Sequence, residues 1–227
     1  MAHELEVQDY SSEYYLKRYS GYGLKYHTHV ITGMMEGISG RILDLGAGTG
    51  IISDLYPDLD IIGIDISEGM LKLNKHKCFI GSAENIKFPD NYFHAVVARS
   101  LLHHLPNAEA GLKEIQRVLR PGGKFICWDP HSSWLAEKVR KVTQHGDRFS
   151  ELHHSFSDLP KLVSRYFKNI EVKYEGFLAY PFFGFPDICN FSKYLSWSYN
   201  VCLRVDEFLS KSWLKKMAFA VMIKAVK

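Results

Sequence analysis

The chain has 227 residues, 46% of them hydrophobic and 23% charged, which is ordinary for one globular domain. The formal net charge is only +3 and no basic stripe is evident, so we expect no nucleic-acid partner. No apolar run reaches the ~18 residues of a membrane span, residues 1–10 do not resemble a secretory signal, and none of the four cysteines forms a C-x-x-C pair. These features predict a cytoplasmic protein without a thiolate zinc site.

The N-terminal residues 1–40 are rich in tyrosine and predict a helical cap. A helical pattern runs from Leu24 to Met35 and ends near Gly37 and Gly40, where a left-handed helix terminator fits. The tyrosines of this region recur at helical spacings, and they are Tyr10, Tyr14, Tyr15, Tyr19, Tyr22 and Tyr26.

The pattern then changes to short apolar strands that alternate with helices. The predicted strands are 41–45, 61–65, 77–80, 94–98 and 124–128, and the predicted helices are 49–56, 67–75 and 107–119. Strands that are brief, β-branched and apolar on both faces are typical of a buried parallel sheet. Strand–helix alternation therefore predicts an α/β fold with right-handed crossovers.

The pattern is less regular after Pro130. It predicts helices at 133–143 and 157–167, strands at 170–174 and 217–226, and an aromatic segment at 176–199.

The most specific signal is the glycine-rich turn Leu43–Gly50, which follows the first strand and opens a helix. Glycines there let the backbone turn sharply and approach a ligand that a Cβ would block. A dinucleotide fingerprint requires G-x-G-x-x-G, but the third glycine position is filled by Ile51 or Ser53. The match is instead G-x-G-x-G preceded by Asp44, an acid that suits a ligand with an ammonium group.

Asp65 ends the second predicted strand. At this distance from a glycine turn, an acid in a doubly wound fold accepts hydrogen bonds from both ribose hydroxyls. The alternative is that Asp65 caps the following helix or forms a turn.

Five ordered motifs resemble the class I S-adenosylmethionine (SAM)-dependent methyltransferases, in particular the group with the ubiquinone and menaquinone C-methyltransferases. The resemblance covers about residues 40–130. The motifs are Leu43–Gly50, Gly63–Asp65, Gly81–Pro89, Ser100–Leu105 and Val118–Lys124. It implies an α/β, doubly wound (Rossmann-like), mostly parallel seven-stranded sheet with helices on both faces and an antiparallel final strand.

In that scheme one methyltransferase domain fills residues 1–227. It consists of an N-terminal helical cap at 1–40, a SAM-binding half at 41–130 and an acceptor-side half at 131–227. The last of these carries an aromatic insertion at 176–215.

The resemblance also implies roles for residues at the methionine and ribose end of SAM. Asp65 would hold the ribose, and the carbonyl of Arg99 would meet the methionyl ammonium. The amino-acid end would be faced by Asp44 and by the backbone of Gly46, Ala47 and Gly48.

At the adenine end, the resemblance implies that Ile66 and Met70 line the base and that Ala83 and Glu84 approach its edge. Ser82 stands where the family often has an aspartate that takes the adenine amino group. Serine still accepts one hydrogen bond, although it also fits a simple turn.

His103 and His104 are the best candidates for a catalytic base. They follow the fourth strand, at the sheet edge where open α/β folds bind ligands, and imidazole titrates near working pH. Related quinone-ring O-methyltransferases carry metal-holding acids near these positions, but His103 and Ser100 replace them here, so we expect no metal. The alternative is that the histidines only orient the loop.

Two aromatic groups outside the SAM motifs predict a lid over an apolar acceptor. They are Tyr15, Tyr19 and Tyr22 in the cap and Phe182, Phe183 and Phe185 in the insertion. The alternatives are ordinary core, a partner chain and peripheral contact with a membrane surface.

We therefore predict an enzyme that moves a methyl group from S-adenosyl-L-methionine to a small-molecule or lipid-like acceptor and releases S-adenosyl-L-homocysteine. One alternative is a SAM-binding protein without turnover. Another is a nicotinamide-dependent oxidoreductase, which the glycine spacing and the lack of a Tyr-x-x-x-Lys dyad disfavour. The sequence does not determine the oligomeric state.

Overall fold

The computed structural model describes residues 21–142, 158–184 and 196–227. Its strands are β1 (Ile42–Leu45), β2 (Ile61–Asp65), β3 (Cys78–Ile80), β4 (Phe93–Arg99), β5 (Leu119–Pro130), β6 (Lys168–Glu175) and β7 (Ala220–Val226). Its α-helices are α1 (Gly21–Met35), α2 (Ile51–Leu55), α3 (Glu68–Leu71), α4 (Ala108–Val118), α5 (Trp134–Val142), α6 (Leu159–Val163) and α7 (Tyr199–Ser210). Short turns of other helix types cover Leu102–His104, Tyr180–Gly184, Ser196–Ser198 and Trp213–Met217.

The strands form one seven-stranded sheet in the order β3-β2-β1-β4-β5-β7-β6. Strands β1 to β5 pair in parallel, whereas β7 runs antiparallel to both β5 and β6. The mostly parallel doubly wound sheet with an antiparallel final strand is therefore confirmed. Strand order reverses between β1 and β4, and in such sheets ligands bind at the carboxyl ends of the strands beside that reversal.

Helices cover both faces of the sheet because the strand residues alternate between two apolar clusters. Ile42 and Val97 face a cluster with α1, α2 and α7. Leu43 and Val96 face the other cluster, with α4 and α6. Residues at odd and even positions of one strand point to opposite faces, so both faces of these strands must be apolar.

Helix α1 packs against the sheet rather than lying loosely over it. Over Gly21–Met35 it buries Tyr26, Val30, Ile31 and Met34. These positions follow a helical repeat, so one side of the helix enters the core. Gly37, with φ 68°, follows its end as the pattern predicts.

Several elements differ in length from the prediction. Helix α3 ends at Leu71 because the next amides, of Leu73 and Asn74, bond to carbonyls three residues back and tighten the turn. Strand β5 begins at Leu119, which pairs with Phe93 ahead of a register shift, so the predicted turn between α4 and the strand is part of the strand itself. Among the described helices, none combines the length and the hydrophobicity needed to cross a bilayer.

Candidate functional site

The glycine-rich turn between β1 and α2 is built from left-handed backbone. Gly46, Gly48 and Gly50 have φ of 76°, 51° and 87°, values that residues with a Cβ rarely adopt. The amides of Gly46 and Ala47 donate to the Ile64 carbonyl at 2.8 and 3.0 Å, which fixes the turn to β2. The turn is therefore a preformed cradle at the carboxyl edge of the sheet.

Close packing makes the cradle intolerant of larger residues. A Cβ on Gly48 would lie 3.2 Å from Cε of Met70, and one on Gly50 would lie 2.5 Å from Oδ1 of Asn74. The Asn74 side chain also donates to the Gly48 carbonyl at 3.2 Å. Sequence reasoning missed Asn74, because nothing in its local pattern marks it as a support for the turn.

Asp65 connects the turn to the start of α3. Its Oδ2 accepts from the Gly48 amide at 2.8 Å, and its Oδ1 accepts from the Ser67 amide at 2.9 Å. Burial raises the pKa of Asp65, while the amides of Ser67 and Gly48 oppose that rise. Asp65 therefore stabilises the turn through both of its oxygens. Because each carboxylate oxygen has a second lone pair, Asp65 can still accept hydrogen bonds from two hydroxyl groups.

Asp44 lies buried beneath the turn, close to a cation from β4. Burial raises the pKa of Asp44 to about 7, the charge of Arg99 opposes the rise, and Asp65 adds to it. The Arg99 guanidinium contacts Nδ1 of His27, a fully buried residue of α1, at 3.5 Å. Along their strands, Asp44 and Arg99 lie on the same face of the sheet as Ile42 and Val97, which is the face covered by α1. Tertiary packing therefore brings an acid and a base together where the methionine end of SAM is predicted to bind.

The residues predicted to surround adenine lie past the ends of β2 and β3. Met70 and Ala83 are buried and Ile66 is exposed. Ser82 Oγ accepts from the Glu84 amide at 3.1 Å, and Glu84 Oε1 accepts from the Asn107 amide at 2.6 Å. Ser82 therefore forms a turn, as its alternative interpretation holds, and Glu84 binds the loop at the start of α4.

His103 pairs with an acid that the sequence analysis did not select. Nδ1 of His103 lies 2.6 Å from Oδ1 of Asp129, and the His103 amide donates to the same oxygen at 3.2 Å. Asp129 is fully buried near the end of β5, and this burial raises its pKa to about 7, against the His103 amide and the charge of His104. Because β4 and β5 are parallel neighbours, their ends bring the two residues to one edge.

The two histidines are close to each other but differ in their surroundings. Their ring centroids are 4.0 Å apart, in the turn Leu102–His104, and His103 is buried against Asp129 whereas His104 is partly exposed. Within the part of the chain that the structure describes, no three His, Cys, Asp or Glu side chains are grouped so as to hold a metal ion. The absence of a metal stays a prediction.

Aromatic residues of α1 and of the insertion contact each other. The Tyr22 ring lies 5.7 Å from Phe183 and 5.6 Å from Tyr199, and Tyr26 stacks on Tyr180 at 5.8 Å. Phe183 is fully buried, so part of the aromatic segment is core. Phe182 is exposed, whereas the other predicted lid residues, Tyr15, Tyr19 and Phe185, lie outside the described residues.

Comparison with known proteins places this site in a recognised domain. Residues 43–127 match the family model described as a methyltransferase domain, so the predicted resemblance is confirmed over the glycine turn, Asp65 and His103. A demethylmenaquinone methyltransferase of Symbiobacterium thermophilum is 36% identical over 103 residues, which are 38% of this chain and 41% of that protein. One of Beutenbergia cavernae is 32% identical over 142 residues, 53% of this chain and 59% of the relative.

Solved structures extend the similarity to the whole fold. A SAM-dependent methyltransferase of Thermotoga maritima, described as a possible histamine N-methyltransferase, superposes with a TM-score of 0.68 at 20% identity over 100% of both chains. Phosphoethanolamine N-methyltransferase 2 of Haemonchus contortus, in complex with SAM, has a TM-score of 0.61 at 16% identity over 89% of this chain and 52% of that one. The chain therefore has the fold of class I methyltransferases, although it covers only 41%, 39% and 42% of the first three curated relatives.

Proposed function

We propose that this protein is a SAM-dependent methyltransferase that acts on a small, apolar or aromatic acceptor. The observation that carries the proposal is the left-handed glycine turn bonded to Asp65, within the stretch that matches a methyltransferase domain. A Cβ-free surface beside a strand-ending carboxylate fits a nucleoside with an amino-acid tail better than a pyrophosphate, because the third glycine of the dinucleotide motif is missing.

The methionine end of SAM is a zwitterion, and Asp44 and Arg99 offer it opposite charges. Asp44 would hold the ammonium and the Arg99 guanidinium would attract the carboxylate, while the Arg99 carbonyl remains the ammonium acceptor that the resemblance implies. The charge of Arg99 already acts on Asp44, since it opposes the rise in pKa that burial causes. Backbone of Gly46, Ala47 and Gly48 would line the same end.

Asp65 would hold the ribose, and the adenine would lie between Ile66, Met70, Ala83 and the Ser82 turn. The Cε of Met70 lies 3.2 Å from the point that a Gly48 Cβ would occupy, and a thioether side chain can adapt its rotamer to a ring. Glu84 would act through its backbone, since its side chain is bonded to the Asn107 amide.

When bound, SAM supplies a methyl group on a positively charged sulfur, which is already an activated leaving group. The protein's part is then to align the acceptor, exclude water and remove a proton where the acceptor must lose one. In this scheme the short contact between Nδ1 of His103 and Asp129 would orient the ring with its Nδ1 proton toward the carboxyl group, and Nε2 would take the proton from the acceptor. Asp129 is a positioning residue in this scheme, and His104 is the second candidate base.

The acceptor class is inferred from the aromatic residues and from the curated relatives. Those relatives are named for demethylmenaquinone, a quinone, and are 36% and 32% identical to this chain over 103 and 142 residues. Tyr22 and Phe182, together with the predicted lid residues Tyr15, Tyr19 and Phe185, would form an apolar cover backed by the core residue Phe183, which favours a quinone-like or other aromatic or lipid-like acceptor.

Calorimetric titration tests the first half of the proposal. We expect SAM and S-adenosylhomocysteine to bind at one site and NADH not to bind. NADH binding without SAM binding would contradict the proposal and favour an oxidoreductase.

Transfer of a labelled methyl group from SAM tests the second half. We expect label to enter an organic-extractable product with a panel of reduced quinones and catechols. If the protein binds SAM but transfers no label to these compounds or to amine acceptors, the result contradicts the second half of the proposal. It then favours a SAM-binding protein without turnover.

A further inference from the structure

Helix α7 (Tyr199–Ser210) has two apolar sides. One side is buried against the core and includes Tyr199 and Cys202, together with the buried acid Asp206. On the other side stand Val201 and Phe208, which are 52% and 73% exposed. Seven residues of α-helix separate them, so they lie about 20° apart around the axis and turn away from the buried side.

Two tryptophans at the ends of α7 extend this exposed apolar surface. Trp197, in the turn just before the helix, is 77% exposed, and Trp213, in the turn just after it, is 87% exposed. Burying a large aromatic is strongly favourable, so exposed aromatics grouped along one short segment mark an interaction surface. We call Trp197, Val201, Phe208 and Trp213 the α7 patch.

Basic residues accompany the α7 patch. Arg204, Lys211, Lys215 and Lys216 are all exposed in the same segment, 196–217. The two acids of that segment offset only part of this charge, because the exposed Arg204, Lys215 and Lys216 stand beside the single exposed ion pair of Glu207 and Lys211. Asp206 is buried and accepts from the amides of Leu178 and Ala179, and Glu207 is paired with Lys211 at 2.8 Å.

The patch adjoins the edge of the sheet where the candidate site lies. The turn Trp213–Met217 leads into β7, whose first residue pairs with Pro130 at the carboxyl end of β5. Within that turn, the carbonyls of Lys216 and Met217 accept from His131 and Ser133, which directly follow β5. At its other end, α7 begins at Tyr199, next to Tyr22 of α1.

We propose that the α7 patch docks the protein on the surface of an anionic lipid bilayer. Exposed tryptophan and phenylalanine with flanking lysine and arginine match the two forces of interfacial binding, shallow burial of apolar rings and attraction to acidic headgroups. A second copy of this chain is a poorer occupant, because a two-fold interface sets each patch against itself and would bring like charges together. Docking in this orientation turns the carboxyl end of β5 and the adjoining amino end of β7 toward the membrane.

Co-sedimentation of the purified full chain with vesicles tests the proposal. We expect binding to vesicles of phosphatidylcholine mixed with phosphatidylglycerol, and little binding to phosphatidylcholine alone or at high salt. Lys215→Glu with Lys216→Glu should weaken binding about tenfold or more, because each basic residue near an acidic surface contributes a comparable attraction. Phe208→Ser with Trp213→Ser should weaken it about tenfold through loss of ring burial.

Matched controls lie at the opposite end of the sheet, beside β3. Lys75→Glu with Lys77→Glu makes the same change of charge, and Leu73→Ser removes another exposed apolar side chain. These controls should bind vesicles like the original chain, and every variant should retain its thermal unfolding transition and its affinity for S-adenosylhomocysteine.

Equal loss of vesicle binding in the patch and control variants would overturn the proposal, as would absence of binding to the acidic vesicles. Light scattering tests whether a second copy of the chain covers the patch instead. If the protein does not bind vesicles but forms a dimer, and Phe208→Ser with Trp213→Ser dissociates that dimer, the patch serves self-association and the proposal is overturned. None of these measurements requires methyl transfer, so they stand or fall separately from the proposed function.

Discussion

Nδ1 of His103 lies 2.6 Å from Oδ1 of Asp129, a buried carboxyl near the end of the neighbouring strand. The contact joins the loop after β4 to β5 at the edge where the glycine turn also lies. It restrains the orientation of the imidazole ring and gives a buried polar group its partner, so it is compatible with both a base and a loop-orienting histidine.

This pairing predicts a specific pattern of kinetic effects. His103→Ala should lower kcat by about 10²- to 10⁴-fold if the acceptor must lose a proton, with little change in affinity for S-adenosylhomocysteine. Asp129→Asn should also lower kcat and should shift the pH profile, because the amide no longer favours one protonated nitrogen. His104→Ala, which removes the second candidate base, should have a smaller effect. Wild-type kcat in His103→Ala at every pH would contradict the assignment of the base.

The ribose role of Asp65 predicts a loss of SAM affinity. Asp65→Ala removes two charge-assisted hydrogen bonds to the ligand, which should cost on the order of 2–4 kcal/mol of binding free energy. Calorimetry measures this cost, and circular dichroism checks the fold, since Asp65 also accepts from the amides of Gly48 and Ser67. Asp58→Ala, at an exposed position between α2 and β2, should bind SAM normally. Unchanged affinity in a folded Asp65→Ala protein would refute the ribose assignment.

The glycine cradle predicts that a side chain at Gly48 abolishes cofactor binding. Gly48→Val introduces a Cβ at 3.2 Å from Met70 and fills the space that the ligand requires. Gly122→Val is the matched control, because Gly122 also has a left-handed φ of 75° but a Cβ there meets no atom within 4 Å. Both variants should lose about 1–3 kcal/mol of stability from backbone strain. Only Gly48→Val should lose SAM binding, and normal binding by that variant would mean that the turn is not the cradle.

The raised pKa of Asp44 predicts that SAM binding depends on pH. Burial raises this pKa to about 7, so Asp44 in the free protein becomes protonated as the pH falls through about 7. The ligand ammonium favours the ionised carboxylate, so affinity should fall toward acidic pH and binding near pH 7 should release protons. Titration calorimetry in buffers of different ionisation enthalpy measures that release. Asp44→Asn should bind more weakly and without this proton release.

The same shift has the opposite sign for the free protein's stability. The pKa of Asp44 is higher in the folded state than in the unfolded chain, so its contribution to the free energy of unfolding is present below about pH 4 and is lost as the pH rises to about 7. If Asp44→Asn releases as many protons on SAM binding as the original chain does at each pH, the proton linked to binding belongs to another group.

The sequence by itself determined the alternation of strands and helices, the glycine turn and the acid at the end of β2. These are local features: a left-handed backbone requires glycine at Gly46 and Gly48, and a buried parallel strand requires a short apolar run, so each leaves its mark within a few residues. Even the antiparallel final strand came from the resemblance rather than from periodicity. The continuation of β5 through its glycines differs from the prediction by a few residues, because pairing partners decide where strands begin and end.

Only the tertiary structure decided which side chains meet. Asp129 is 26 positions from His103, and His27 is 72 positions from Arg99, so no spacing in the chain marks either pair. The order of the strands places the ends of β4 and β5 side by side, and the packing of α1 on the sheet buries His27 beside Arg99. The exposed side of α7 also depends on the fold. Apolar residues stand on two sides of this helix, and only its packing neighbours determine which of the two sides remains in solvent.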